Sequence, residues 1–225
     1  MNDIERLNIV RNLQNRVYEI IRNYVVRPEI PPGIRLYEEK LSKEIGVSRT
    51  PVRIALSRLD REGLIRITPN RGTFKTHFSW EEVVEIMKLR QLIECLALDM
   101  GRGFDKDQIN NVAKSIPNEN FFETSGGYSR YPDMDQQFHM ELLKISKRQW
   151  LLKVVEHLDP VFHMLRLITL QENERIKSSI EEHEKIVNEL KLNDITAAIT
   201  SLEEHWNSAL KALEQRHRSI PGLFL

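Results

Sequence analysis

The residues richest in chemistry lie in the second half of the chain. Asp135 and His139 are four apart, so on a helix their side chains share one face within reach of a single ion. His183 falls in register with Ile180, Val187 and Leu190, and His205 with Ile195, Ala198, Leu202 and Ala209, both at helical spacing. One carboxylate and three imidazoles on apolar stripes predict a set pointing into one helical core. Such a set suits a divalent transition metal, because neutral imidazole nitrogens and a carboxylate oxygen are good ligands and a buried carboxylate needs compensating charge. The alternative is four separate core residues, each satisfied by its own hydrogen bond. A metal with an open position would also let the set activate water as a hydrolase does. Against that, no convincing general base stands beside the set, and Glu182 and Glu204 are equally plausible as solvated helix residues. Arg90 lies on a further inward stripe with Val83, Ile86, Ile93, Ala97 and Met100. A guanidinium there needs an anion, either Glu94 one turn on or a bound carboxylate.

The elements that must position these residues are all helical. Ser79 and Glu82 have the spacing of a capping box and open a helix to about Met100. Helices are predicted over 105–116, 130–146, 149–170, 177–191 and 193–216, with a loop over 117–127. No strand pattern interrupts them, so this part is expected to be an all-α antiparallel helical bundle.

The first third reads differently. A helix over 9–26 carries Val10, Leu13, Val17, Ile20, Ile21 and Tyr24 as one stripe, after a polar and frayed segment over 1–8. Residues 38–59 form two short helices hinged at Gly46, with Ser48 capping the second and Pro51 tolerated in its first turn. Val52, Ala55, Leu56 and Leu59 make an inner stripe, while Arg49, Thr50, Arg53 and Ser57 face outward. A helix packed by one face and offering Arg, Thr and Ser from its first turns suits the major groove of DNA. An ordinary surface helix pair is the alternative. Behind it, 64–67 and 73–76 are β-prone around a turn at 68–72, a hairpin with Arg71 at its tip. Arg71 is placed either near a phosphate or minor groove, or in solvent. The expected fold is therefore mostly α: an N-terminal winged helix-turn-helix with a small β-hairpin wing over 1–78, and the helical bundle over 79–225.

Charge follows the same division. Residues 1–78 hold 15 Lys+Arg against 9 Asp+Glu, and residues 79–225 hold 18 against 24, a balance of +6 and −6 in a chain of zero net charge. A basic first part fits a polyanionic partner. Cys95 is the only cysteine, which excludes an intrachain disulfide and predicts a reducing compartment. There is no apolar run near the ~20 residues that span a bilayer, and the first residues lack a signal-peptide layout. A cytoplasmic protein without a membrane partner is expected.

The runs Pro32-Gly33-Ile34-Arg35-Leu36, Gly46-Val47-Ser48-Arg49-Thr50-Pro51-Val52-Arg53, Glu62-Gly63-Leu64 and Arg71-Gly72 together resemble the DNA-binding domain of the GntR family of bacterial transcriptional regulators, over residues 10–77. The resemblance implies that Ser48, Arg49, Thr50 and Arg53 contact DNA and that the wing-tip Gly72 lies at the minor groove. Arg35 and Arg71 complete the expected DNA-contacting set. Glu39 departs from the family, which usually has a DNA-reaching arginine there. Either Lys40 substitutes or that contact is absent. The run Asp135-Gln136-Gln137-Phe138-His139, with Glu182-His183 and Glu204-His205, resembles the metal-binding form of the FCD domain over residues 80–217. This implies Asp135, His139, His183 and His205 as ligands of zinc, nickel or manganese, and a small carboxylate bound beside that metal with Arg90 lining its pocket. An asparagine usual in the family is replaced around residues 146–149, and residues 101–131 match poorly. The resemblance implies a homodimeric transcriptional repressor, not an enzyme, that binds a palindromic double-stranded DNA operator under control of a small organic acid. A regulator with a purely structural metal is the nearest alternative.

Overall fold

A computed structural model describes residues 3–101, 103–118, 121–122 and 127–225, with side chains from residue 11 onward. The chain divides into two compact units, one running to Ser79 and including Gly222–Leu225, the other spanning Trp80–Pro221.

In the first unit, helix α1 (Asp3–Val25) begins earlier than its apolar stripe predicts. Its inward residues are Val17, Tyr18, Ile21 and Val25, whereas Leu13 and Ile20 are exposed. The face is turned because Tyr18 has an inward partner. Its hydroxyl donates to Glu62 at 2.7 Å and the Arg58 guanidinium lies 3.6 Å above its ring. The prolines after Arg27 end the helix, and the chain enters strand β1 (Arg35–Leu36). Helices α2 (Glu38–Ile45) and α3 (Arg49–Arg61) follow. Gly46 joins them with φ of +76°, a left-handed conformation that glycine adopts freely, and its N–H closes α2 on the Ser42 carbonyl. The buried face of α3 is Val52, Ala55, Leu56 and Leu59, joined by Pro51. Strands β2 (Ile65–Thr68) and β3 (Gly72–Lys75) form the wing hairpin. The sequence gives no sign of β1, two residues long, which pairs antiparallel with β3 and makes a three-stranded sheet in the order β1-β3-β2. Lys75 ties this sheet to the loop after α1. Its buried ammonium donates to the carbonyls of Arg27 at 3.0 Å and Ile30 at 2.7 Å, and burial lowers its pKa to about 8.

The second unit contains α4 (Trp80–Met100), α5 (Lys106–Lys114), α6 (Gly127–Lys144), α7 (Gln149–Thr169), α8 (Asn173–Lys191) and α9 (Ile195–Ser219). Helices α6 and α8 start earlier than predicted, at Gly127 and Asn173, and α9 runs on to Ser219. The loop expected over 117–127 falls largely outside the described residues. Along α4 the inward residues are Val83, Met87, Arg90, Ile93, Glu94 and Ala97, while Met100, placed on that stripe by spacing, is exposed. The second half of α7 is buried on nearly every side from Pro160 to Arg166, the pattern of a helix central to a bundle. Among the described residues no helix is long and apolar enough to cross a membrane.

Candidate metal centre and nucleic-acid interface

Helices α6, α8 and α9 bring His139, His183 and His205 together. One ring nitrogen from each lies within 4.8 Å of the others, and all three residues are buried. The Nε2 atoms of His139 and His205 are 3.3 Å apart. Asp135, one turn before His139, reaches the same point: its Oδ2 is 3.8 Å from His139 Nε2 and its Oδ1 is 3.7 Å from His183 Nε2. The outer nitrogens are held by carboxylates. His139 Nδ1 meets Glu94 Oε2 at 2.8 Å, and His205 Nδ1 meets Glu182 Oε2 at 2.7 Å. A carboxylate accepts, so both Nδ1 atoms carry the proton and both Nε2 atoms present a lone pair. Two lone pairs facing at 3.3 Å repel unless a proton or a cation lies between them. Two nitrogens each about 2.0–2.1 Å from one ion would lie about 3.0–3.4 Å apart. Among the described residues, His183 Nε2 is buried without a hydrogen-bond partner. The donor set therefore fits a divalent metal, and the carboxylates behind two of the imidazoles have the second-shell arrangement that fixes a ligating tautomer.

Electrostatics agrees with that chemistry. Burial lowers the pKa of His139, and lowers that of His183 well below the ordinary imidazole value, with the neighbouring imidazoles and arginines adding to the effect on His183. Both shifts favour the neutral imidazole, the form that ligates. Burial alone would raise Glu94, but His139 and Arg90 outweigh it and hold the carboxyl at about 2. Burial likewise opposes ionisation of Asp135 and Glu182. Asp135 is held below its ordinary value by His139 and Arg166, and Glu182 by His205 and Arg175.

The arginines around the centre differ from the expected one. Arg90 is fully buried, donates from Nε to Glu94, and stacks 4.8 Å over the Phe162 ring. Of its two possible anions the structure shows Glu94. Trp206 donates to the same carboxylate at 3.1 Å. A cavity of about 30 Å³ beside the histidines is lined instead by Arg166 and Arg175, with Asp135, Ser179 and Phe162. Arg166 Nε donates to Asp135 Oδ2 at 2.6 Å, and Arg175 grips both oxygens of Glu182 at 3.1 and 2.8 Å. Arg166 Nη1 and Arg175 Nε remain buried without hydrogen-bond partners among the described residues. Sequence reading missed Arg166, Arg175 and the orienting role of Glu182. For Glu182 the signal was present: it sits beside His183 and a turn-multiple from Arg175, on a helix with few other inward polar residues.

In the first unit, Ser48, Arg49, Thr50 and Arg53 are exposed at the start of α3. Ser48 occupies the cap position with extended backbone, but its side chain makes no capping hydrogen bond. Acids of α2 engage both arginines: Arg49 Nη2 lies 3.3 Å from Glu39 Oε2, and Arg53 Nε donates to Glu38 Oε2 at 2.7 Å. At the wing, Arg71 is exposed in a turn closed by its N–H on the Thr68 carbonyl, beside Asn70 at φ of +60°. The Arg35 guanidinium lies 5.0 Å from the Tyr37 ring and 5.9 Å from the Phe74 ring. Gly72, at φ of +119°, packs against it. A Cβ there would come within 2.7 Å of Arg35 Nε, so the glycine leaves room for the arginine.

A winged helix with an arginine-bearing second helix, in one chain with a helical bundle that buries a three-histidine cluster, defines a DNA-binding transcriptional regulator of the winged-helix class. Residues 13–74 match the model of the bacterial regulatory proteins of the gntR family, and residues 85–208 match the FCD domain. The chain belongs to the GntR family, with an FCD ligand-binding domain as its second part. It is 26% identical to the uncharacterized HTH-type transcriptional regulator YdhC of Bacillus subtilis, over 84% of this chain and 86% of that one. It is 25% identical to the HTH-type transcriptional repressor RspR of Escherichia coli K12, over 93% and 92%. A solved structure described as a GntR transcriptional regulator from Rhodococcus sp. RHA1 shares the fold, with a TM-score of 0.70 at 22% identity over 89% of this chain and 97% of that one. These families and relatives are transcriptional regulators, not enzymes.

Proposed function

We propose that the protein is a homodimeric repressor that binds a palindromic operator through residues 1–78 and senses a small carboxylate at a metal held within residues 79–225. The observation that carries the sensing half is the convergence of His139 Nε2, His205 Nε2 and the partnerless His183 Nε2 with the Asp135 carboxylate. Asp135, His139, His183 and His205 would hold zinc, nickel or manganese. When bound, such an ion supplies a Lewis-acidic point at which a carboxylate can dock. Arg166 and Arg175 supply the complementary positive charge on the cavity wall, each with a buried N–H-bearing atom that has no partner among the described residues. Arg90 acts one layer out by holding Glu94, which orients His139. At the other end, Arg49 and Arg53 reach guanine edges or phosphates, Ser48 and Thr50 position the helix, and Arg35, Arg71 and Gly72 serve the wing. The name of the Escherichia coli relative supports repression. Two-fold symmetry of the protein would then be mirrored in the operator.

A second reading, in which the ion only ties α6, α8 and α9 together, is favoured by the cavity's size. About 30 Å³ admits an ion or a water, and a carboxylate enters only if side chains move. One experiment separates the two. Operator is selected from random DNA with the purified protein, and binding is then titrated with a panel of organic acids before and after chelation. Release of operator by an acid, lost on chelation and in Arg166→Met, supports sensing. Indifference to every acid, with a melting temperature that falls on chelation, supports the structural ion. Unchanged selected binding in Arg49→Ala overturns the α3 assignment.

A further inference from the structure

Two buried hydroxyls reach the oxygen of Asp135 that Arg166 leaves free. Arg166 engages Oδ2 at 2.6 Å, and the Ser179 hydroxyl lies 3.3 Å from Oδ1. The Tyr131 hydroxyl in turn lies 3.0 Å from Ser179 Oγ, and both hydroxyl-bearing residues are fully buried. The direction of each bond follows from the group at its end. An ionised carboxylate only accepts, so Ser179 gives its single proton to Asp135. Ser179 Oγ must then accept from Tyr131, whose phenol is the donor. Burial and the Asp135 charge both push that phenol above its ordinary value, so it keeps its proton.

Placement along the helices gives these hydroxyls a use. Tyr131 precedes Asp135 by four residues on α6, and Ser179 precedes His183 by four on α8. Each therefore sits one turn before a member of the histidine–aspartate cluster, on the same helix face. The Tyr131 ring is packed in an apolar cluster with Leu170, Ile176, Phe122 and Tyr128. Its hydroxyl is thus held by a ring that cannot swing without opening close-packed side chains. On Asp135 the two oxygens differ. Oδ2 takes a short, charge-assisted bond, whereas Oδ1 accepts a longer one from a neutral hydroxyl. Oδ1 is therefore the better electron donor of the two. It also lies 3.7 Å from His183 Nε2, which has no hydrogen-bond partner among the described residues.

We infer that Ser179, backed by Tyr131, is the positioning residue that holds Asp135 Oδ1 in the orientation from which it can ligate, an inference that rests on the metal reading of the cluster. A carboxylate held at Oδ2 alone can still turn about its Cβ–Cγ bond, and the hydroxyl pair stops that rotation. Neither hydroxyl is itself a ligand. Both act on the ion only through Asp135, as carboxylates behind imidazoles act through His139 and His205.

The test is zinc affinity of the full chain by competition with a chromophoric chelator, read beside the visible ligand-field bands of cobalt(II)-loaded protein. Ser179→Ala should lower zinc affinity by about 10- to 100-fold and shift the cobalt bands, although no ligand is removed. Tyr131→Phe keeps the ring and its packing while Ser179 still donates, so its loss should be smaller, about 3- to 10-fold. Because Tyr131 acts through Ser179, the double variant should bind zinc no more weakly than Ser179→Ala alone. Tyr128→Phe, in the same apolar cluster, should leave affinity and bands unchanged. Circular dichroism checks the fold of each variant, and the near-isosteric Tyr131→Phe decides alone where Ser179→Ala does not fold. A wild type that takes up neither zinc nor cobalt overturns the metal reading and this inference with it. A wild type that binds, with variants that match it in affinity and in cobalt bands, overturns the positioning role alone. Additive losses in the double variant overturn the action of Tyr131 through Ser179.

Discussion

Glu39 lies beside an arginine proposed to read DNA, and its geometry says what an acid there does. Its carboxylate lies 3.3 Å from Arg49, with both side chains largely in solvent, so the pair is worth at most about 1 kcal/mol and DNA can displace it. Glu38 holds Arg53 in the same way. The two acids partly cancel the field of the two arginines before DNA arrives, and they fix the direction in which each guanidinium points. Cancelling charge weakens contact with any phosphate backbone, whereas fixing direction helps only where a base edge matches. Glu39→Gln should therefore raise affinity for non-specific duplex more than for the operator. The expected gain on non-specific DNA is roughly 3- to 10-fold at low salt, with a salt slope steeper by about one ion. Fluorescence anisotropy across a salt series checks it, and an equal gain on both duplexes would leave Glu39 with no part in selectivity. At the other site Glu182 is the corresponding positioning residue, since it holds His205 and is itself gripped by Arg175. Glu182→Gln should lower zinc affinity by about 10- to 100-fold without removing a ligand. Competition with a chromophoric chelator measures this, and an unchanged affinity would show that the His205 tautomer is set by another group.

Among the elements, the three-stranded sheet is tied to the loop after α1 by one buried lysine, and its titration gives a prediction with a definite sign. The folded state lowers the Lys75 pKa to about 8, through burial, from an ordinary value of 10.5. Between those values the unfolded chain binds a proton that the folded chain does not, so stability of the winged-helix unit should rise as pH increases from about 8 to 10. Denaturant unfolding followed at the wing, with the Lys75 side-chain carbon shift titrated by NMR, tests both parts. A shift midpoint near 10.5, or stability flat across that window, would show the ammonium to be better solvated than its partners imply. The same lysine shows why β1 was illegible in sequence. Two residues carry no periodicity, and Arg35–Leu36 is a strand because β3 and the Lys75 anchor bring the loop after α1 alongside it. The helix pair was legible because its signals are local: Gly46 at the turn, Pro51 in a first turn, and four apolar residues on one face of α3. The buried face of α1 lies to one side of its apolar spacing because Tyr18 turns inward to meet Glu62 and Arg58. Around the histidine cluster, Asp135 and His139 were legible from their spacing of four, and His183 and His205 from imidazoles on apolar stripes. Arg166 did not, because α7 is buried nearly all round and its sequence cannot say which side faces the cavity.

Over the whole molecule, two compact units raise the question of whether the bundle's state is felt at α3. Each unit has its own buried core, Val52, Leu56 and Leu59 in one, Phe138, Leu142 and Leu202 in the other. Linkage supplies a test that requires no knowledge of the effector. If loading with zinc changes operator affinity by some factor, saturating operator must change zinc affinity by that same factor. For a sensor the factor is expected to fall in the range of about 5- to 150-fold typical of allosteric coupling. For an ion that only holds helices together the factor is one whenever the bundle is folded. The whole effect then appears as stabilisation, about 4 kcal/mol at zinc concentrations a thousandfold above its dissociation constant. Operator affinity of stripped and zinc-loaded protein, and zinc affinity of free and operator-bound protein, close the cycle. Equal factors different from one establish that the histidine cluster and the arginines of α3 bias a common equilibrium. Two factors of one, alongside a raised melting temperature, confine the ion to the bundle and move the search for the signal to the cavity wall formed by Arg166 and Arg175.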